Sequence, residues 1–357
     1  MENSYDILII GAGPAGATLA RELALGAPEK RILLVDGTDG ERGKVCGGLL
    51  SPDAQKIMAS FNLTLPRSVL SEEQIFSVET LDVEKSLSVR YQRSYINMDR
   101  YAFDRYLVSL IPSSVDCVTG RCISVRREAV GFSVGINSEE GVFTVLASAV
   151  VGADGAGSIV RRTLFKEKSN IKLIVAYQEW YSDFSENVPS YSCIFDTPSS
   201  PYPSWTVKKG DTVILGGAFD KDGYKDAFYK LKGRLEQRFG YRLEGVVKRE
   251  SCFVCNPYRM KDFVLGDEGA FLIGEAAGFI SPSSYEGIGN AMASAKALSD
   301  AILAGKDAKK TIKIYKKATK KQRISIRMKV LKRRLLFGQT TRGIIMRSKV
   351  QSIDKYR

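Results

Sequence analysis

The stretch DILIIGAGPAGATLA, Asp6 to Ala20, decides the fold. A hydrophobic run meets Gly11, Gly13 and Gly16 at once, which reads as a strand, a tight turn and the start of a helix. This G-x-G-x-x-G arrangement lets backbone approach a pyrophosphate and seats it at the helix N-terminus. Working outward, YDILIIG predicts a strand, PAGATLARELALG a helix closing at Gly26, and RILLVD a second strand ending in Asp36. Asp36 follows Gly16 by 20 residues, the offset at which an acid meets the adenosine ribose hydroxyls of a bound dinucleotide. The loop by itself does not choose between NAD and FAD.

Beyond Asp36 runs a glycine-studded loop, DGTDGERGKVCGGLLSP, and a helix is expected from Pro52. QIFSVETLDVEKSLSVRYQRSYINM has strand character, DRYAFDRYLVSLI helical spacing, and CISVRREAVGFSVGI with VFTVLASAVVGADG the pattern of a hairpin feeding another strand. From about residue 170 to 264, short aromatic strands with turns at TPSSPYPS and KKGD predict a separate antiparallel sheet. GAFLIGEAAGFISPSSYEGIGNAMASAKALSDAILAG then returns to strand, loop and long helix.

Composition prunes the chemistry. The 357 residues are 44% hydrophobic and 26% charged, ordinary for a globular chain that buries a core. There is no histidine, so Ser-His-Asp or Cys-His hydrolysis and His-ligated metals are excluded, and no metal site is expected. Six scattered cysteines form no disulfide framework, and the C-x-x-C of Cys252 and Cys255 reads as a structural pair of reduced thiols. The absence of a leader or a long apolar run gives a cytoplasmic expectation. The net charge of +13 is local: residues 306–357 hold 19 Lys and Arg against Asp307 and Asp354, and the rest of the chain is net acidic. One or two helices are expected there. Ile324, Met328, Leu331 and Leu335 form a single apolar stripe among cations, although Ile324, Ile326, Met328 and Val330 also alternate like a strand. The stripe either docks on the body or meets an anionic membrane surface; nucleic acid is not expected, since no stacking aromatics interleave the charges.

Two further segments, VVGADGAGSIVRR (Val150 to Arg162) and LIGEAAGFISPSSYEGIG (Leu272 to Gly289), together with KVCGGLLSP (Lys44 to Pro52), carry a resemblance. On these motifs the chain resembles, over about residues 5 to 350, the geranylgeranyl reductase family within the flavoprotein superfamily of p-hydroxybenzoate hydroxylase. The resemblance implies FAD as the cofactor and an α/β (α+β overall) fold. It implies an FAD-binding Rossmann-like three-layer domain (1–75, 95–168 and 265–305), an inserted antiparallel sheet for substrate (76–94 and 169–264) and a basic helical tail (306–357).

Carried over by position, the resemblance puts Gly11, Gly13, Ala15 and Gly16 at the pyrophosphate, Asp36 at the ribose, and Asp154 of the Asp-Gly segment in the cofactor site. Cys46 and Gly47 fall on the flavin side, Arg100 on a helix contacting FAD, and Cys122 on a strand whose backbone meets adenine. Gly287 and Ile288 fall at the helix start beneath the isoalloxazine. Glu275 stands where the family has Asp. Cys46 is either a thiol packed under the flavin or a proton donor in catalysis. Tyr202 and Trp205 are either sheet core or the walls of a channel for an apolar substrate chain.

The implied reaction is FAD-dependent reduction of carbon–carbon double bonds (oxidoreduction on CH–CH groups) in an isoprenoid chain on a lipid or lipid carrier, with a hydrophobic prenyl substrate; the basic tail adds the expectation of a peripheral place on the inner face of the membrane. NAD(P)H and ferredoxin both remain as electron donors, for no second G-x-G-x-x-G unit is present. The rivals are a flavin-dependent aromatic monooxygenase and a flavin-binding redox sensor or partner-binding protein without turnover.

Overall fold

A computed structural model describes residues 4–37, 44–168 and 171–356; the stretch 38–43 of the glycine-studded loop lies outside them. The chain divides into two compact units, Met1–Gly43 with Tyr101–Lys172 and Cys255–Met328, and Lys44–Arg100 with Leu173–Val254 and Lys329–Arg357.

In the first unit, β1 (Ser4–Ile10), α1 (Pro14–Gly26) and β2 (Ile32–Asp36) make the expected β-α-β. β1 and β2 run parallel, from Ile7 opposite Ile32 to Ile10 opposite Val35. Both faces of these strands are covered, which is why they read as unbroken apolar runs. β6 (Val115–Thr119) extends the sheet on one side, and β9 (Gly141–Gly152), β16 (Ala270–Leu272) and β15 (Gly266–Asp267) on the other. The hairpin β7 (Arg121–Arg127) and β8 (Phe132–Ser138) pairs onward to β9. α3 (Arg100–Ser109) and α4 (Ile159–Leu164) complete the connections, while α6 (Ile288–Ala304) packs on α1 through a core containing Leu19, Leu23, Ala295 and Leu298.

The second unit is built on one sheet from β3 (Leu49–Leu50), β4 (Ile75–Asp82), β5 (Leu87–Asn97), β10 (Lys172–Phe184), β11 (Tyr191–Phe195), β12 (Ser204–Lys209), β13 (Thr212–Phe219) and β14 (Leu243–Asn256). Its order is β14-β10-β13-β12-β11-β4-β5-β3. The expected antiparallel character holds in most pairings, but β4 and β11 are parallel. α2 (Pro52–Ser60) follows β3, and α5 (Tyr224–Phe239) lays Phe228, Leu231 and Leu235 against Tyr177, Leu215 and Phe219.

The unit boundaries differ from those expected of the sequence. Residues 44–75 and 95–100 belong with the second unit, because β3 pairs with the end of β5, Leu49 opposite Asn97. Residues 255–264 belong with the first, where Phe263 and Val264 enter its core. The tail is three helices rather than one or two: α7 (Ala308–Ala318), α8 (Lys320–Phe337) and α9 (Gln339–Ser348). Nor is it a region apart, since Tyr315 of α7 is fully buried in the first unit and its hydroxyl donates to the Leu272 carbonyl at 3.0 Å. Arg342 of α9 is buried in the second, bonded to Asp82. No helix among the described residues is long and apolar enough to cross a membrane.

Candidate active site

The turn after β1 is held from both sides. The Gly11 N–H donates to Val35 O at 2.8 Å, and the Ala153 N–H donates to Ile10 O at 2.8 Å. Gly11 has φ +105°, and a Cβ there would sit 2.7 Å from Ala153 O. A Cβ on Gly16 would lie 1.8 Å from Gly11 O, so the helix starts hard against the turn. Gly13 is different: a Cβ there meets nothing within 4 Å. The fold itself does not require that glycine, and the space over it is open to a ligand.

α1 begins at Pro14, and its N-cap Gly13 supplies no capping side chain. The first-turn amides of Ala15 and Gly16 therefore face outward with the helix dipole behind them, the arrangement that holds a phosphate. α6 repeats the device, with Gly287 as a cap lacking a side-chain bond ahead of Ile288.

The three glycine-rich segments converge in this unit. A Cβ on Gly274 would lie 2.8 Å from the Ala15 Cβ, and one on Gly155 would lie 4.0 Å from Glu275 Oε2. Gly274 is fixed by its N–H donating to Ser294 Oγ at 2.8 Å. Glu275 is buried and its Oε1 accepts the Cys255 N–H at 2.9 Å, a reach that rationalises the longer acid at this position. Asp154 Oδ2 accepts the Ile159 N–H at 2.6 Å, while its Oδ1 is buried with no partner. Burial holds this carboxyl above the usual range. The Cys122 thiol is pushed up to about 12, first by burial and then by the charge of Asp154, so these two residues are neighbours. A buried, unpartnered carboxylate oxygen, two uncapped helix starts and open space at Gly13 together fit a dinucleotide, whose phosphates take the amides and whose hydroxyls supply the missing donor.

Asp36 is buried, and Arg105 Nη1 of α3 bonds its Oδ2 at 2.6 Å. Arg100 opens α3, but the arginine of that helix fixed on Asp36 is Arg105, which sequence reasoning did not single out. Arg161 was missed as well. It is buried and donates to Ala276 O at 2.9 Å and Asp262 O at 2.7 Å, clamping the late glycine-rich segment; burial lowers its pKa. Partners so distant in sequence leave no local signal.

Cys46, Gly47, Tyr202 and Trp205 all lie in the second unit. Cys46 Sγ accepts the Gly48 N–H at 3.3 Å, and the Cys46 carbonyl accepts Gln178 Nε2 at 3.4 Å. Gln178, Gly216 and Trp205 stand opposite one another on β10, β13 and β12. The indole of Trp205 fills the space over Gly216, where a Cβ would be 2.5 Å from the ring. It also passes within 3.7 Å of where a Gly47 Cβ would be. Trp205 Nε1 and Gln178 Oε1 are both buried with no partner. Gln178 Nε2 is steered by Glu250 Oε2 at 2.7 Å, which also accepts Trp180 Nε1 at 2.8 Å. Burial works against the Glu250 carboxylate, but these donors and Lys248 hold it below the usual range. Tyr202 does not join this group. It is buried, its hydroxyl donates to Asp220 at 2.8 Å and the Arg333 guanidinium lies 4.7 Å over its ring, all of which is sheet-core behaviour. All six cysteines are free, with Cys252 half-buried and Cys255 buried.

Residues 6–182 match the family model described as lycopene cyclase protein. Protein CbrA of Escherichia coli O6:H1 (strain CFT073) is 42% identical over 359 aligned residues, covering 99% of this chain and 96% of that protein. The chain belongs to the CbrA family. CbrA of Shigella sonnei (strain Ss046) is likewise 42% identical, with 99% of both chains covered. The fold of this CbrA family member is similar to that of a geranylgeranyl bacteriochlorophyll reductase-like protein from Thermoplasma acidophilum, with TM-score 0.76 and 17% identity over 96% of this chain and 89% of that one. It is also similar to flavin-dependent brominase Bmp2, with TM-score 0.71 and 18% identity over 96% and 92%. PqsL of Pseudomonas aeruginosa, described as a probable FAD-dependent monooxygenase, gives TM-score 0.66 and 20% identity over 94% and 96%. These likenesses establish the fold alone, a mixed α/β architecture with two sheets among the described residues.

Lys209, in the Lys-Gly that follows Trp205, fastens the Cys46–Gly48 turn. Its Nζ donates to Gly48 O at 3.0 Å, to Met98 O at 2.8 Å and to Asn97 Oδ1. Burial pushes this ammonium down to about 8. A free lysine keeps its proton to about pH 10.4, so between those values the unfolded chain binds a proton that the folded chain has released, and stability rises with pH across that window. Below pH 8 both states are protonated and the contribution is flat. Thermal melts across the alkaline range should show wild type gaining on Lys209→Met above pH 8; parallel curves would contradict the buried ammonium.

Proposed function

We propose that this protein is an FAD-dependent oxidoreductase that reduces carbon–carbon double bonds of an isoprenoid chain on a lipid or lipid carrier. Bound FAD supplies the hydride chemistry. In this reading the amides of Ala15 and Gly16 hold the pyrophosphate, Asp36 with Arg105 the ribose, and Asp154 and Glu275 accept from the cofactor's hydroxyls. Gly287 and Ile288, at the uncapped start of α6, would offer the positive helix end to the bound cofactor.

The observation that carries the substrate class is the surface beside the Cys46–Gly48 turn. There the half-buried Leu49, Trp180, Tyr191 and Trp205 surround a buried apolar cluster of Ile75, Tyr95, Val207 and Ile214. Such a wall suits an apolar chain. The names of the matching family model and of the Thermoplasma neighbour, a cyclase of lycopene and a geranylgeranyl reductase-like protein, also concern isoprenoids.

A second reading, monooxygenation of an aromatic compound, is favoured by the unpartnered Trp205 Nε1 and Gln178 Oε1, a donor and an acceptor suited to a polar ring substrate. One experiment separates the two. Protein reduced anaerobically with dithionite should be reoxidised by a geranylgeranyl lipid, giving a product two mass units heavier per bond reduced. No lipid-dependent reoxidation, with oxygen consumed on addition of an aromatic acid, would favour the monooxygenase.

A further inference from the structure

α8 is a helix with two apolar faces. Ile326, 2% exposed, enters the core of the first unit. Arg333, 8% exposed, lies over the rings of Tyr202 and Phe337 in the second. On the other side Ile324, Met328, Leu331 and Leu335 are 45%, 59%, 53% and 47% exposed. At 3.6 residues per turn these four fall within about 60° of one another. Lys320, Arg327 and Arg334 flank the stripe on one side and Lys321 and Lys332 on the other, all of them exposed. No Asp or Glu occurs from Ala308 to Ile353. α9 adds exposed Ile344 and Ile345 beside exposed Arg347 and Lys349.

A helix already docked by one face gains nothing in water from a second apolar stripe, and two rows of like charge beside it cost repulsion. Both features become favourable on one kind of surface. We propose that α8 lies on an anionic lipid bilayer, with the stripe Ile324, Met328, Leu331 and Leu335 in the boundary between headgroups and acyl chains and the two cationic rows on lipid phosphates. The symmetry of the charge selects this occupant. A protein groove would need acids along both rims in register, whereas a headgroup plane presents negative charge on both sides of an embedded stripe by its nature. Nucleic acid would use the cations and leave the stripe in water. This surface stands apart from the reaction proposed above, because binding to vesicles reads nothing of turnover.

The test is sedimentation of the full chain with vesicles of phosphatidylcholine alone or mixed with phosphatidylglycerol. The protein should pellet with the mixed vesicles only, and high salt should release it. Replacing the stripe by serine (Ile324→Ser, Met328→Ser, Leu331→Ser, Leu335→Ser) should lower the partition coefficient at least tenfold, as should Lys321→Gln with Arg327→Gln, Lys332→Gln and Arg334→Gln. Melting temperature should hold in both, for these side chains face solvent. Hydrogen exchange on the unaltered chain, needing no variant, should slow across 320–337 on mixed vesicles. The proposal is overturned if the wild-type chain stays in the supernatant, if the serine variant binds equally, or if the stripe instead closes a dimer that ignores vesicles.

Discussion

Gly16→Ala should collapse the stability of the first unit and strip the protein of FAD together. The new Cβ would stand 1.8 Å from the Gly11 carbonyl oxygen, a backbone atom of a turn whose Gly11 N–H is tied to Val35 O, so the helix must lift off the turn. An overpacked contact of this kind costs about 3 kcal/mol. In a unit of this size that lowers the melting temperature by roughly 10 °C. Gly13→Ala makes the informative contrast. A Cβ there meets nothing within 4 Å, so melting of the apoprotein should change by no more than about 1 kcal/mol, the cost of alanine at an N-cap. FAD retention should nonetheless fall tenfold or more, since the proposed pyrophosphate would lie in that open space. Differential scanning calorimetry paired with flavin absorbance reads both outcomes. Equal loss of stability in the two variants would mean that the turn is shaped by the fold alone.

Arg342→Met should be the most destabilising single change in the second unit. Arg342 and Asp82 are 1% and 0% exposed in their side chains, joined through Nε to Oδ2 at 2.8 Å and Nη2 to Oδ1 at 3.2 Å, with Glu84 taking Nη2 at 2.9 Å. Removing the guanidinium leaves a buried carboxylate uncompensated, which costs about 3–5 kcal/mol. The double variant Arg342→Met with Asp82→Leu should recover much of that loss, because the fully buried carboxylate is gone, although the Glu84 carboxylate, 12% exposed, still loses its guanidinium partner. Urea unfolding midpoints of the single and double variants measure it. A single variant with an unchanged midpoint would mean that α9 is an appendage instead of part of the unit.

The β-α-β unit was legible because each of its signals is local: apolar strands, three glycines, and an acid at the right distance. The partners that make the site work are not local. Arg105 reaches Asp36 from another helix, and Arg161 closes on carbonyls more than 100 residues away. The tail carried an ambiguity with a physical origin. Ile324 and Met328 face water while Ile326 is buried and Val330 half-buried, so two apolar faces on one helix imitate the alternation of a strand. Tyr202 and Trp205, three residues apart on the chain, part company because Tyr202 finds Asp220 and Arg333 in the core, whereas Trp205 lies over Gly216 beside the Cys46–Gly48 turn. The unit boundaries escaped for the same reason, since β3 is two residues long and is recruited by β5, with no pattern of its own.

The measurement that bears most directly on the account is titration of the apoprotein with FAD, followed by flavin absorbance and calorimetry, in wild type and in Asp154→Ala. A stoichiometric yellow complex in wild type, weakened at least tenfold where the unpartnered Asp154 oxygen has been removed, is the expected result. A colourless protein that takes up no FAD, or an Asp154→Ala variant that binds it as tightly as wild type, would contradict the cradle described for the first unit.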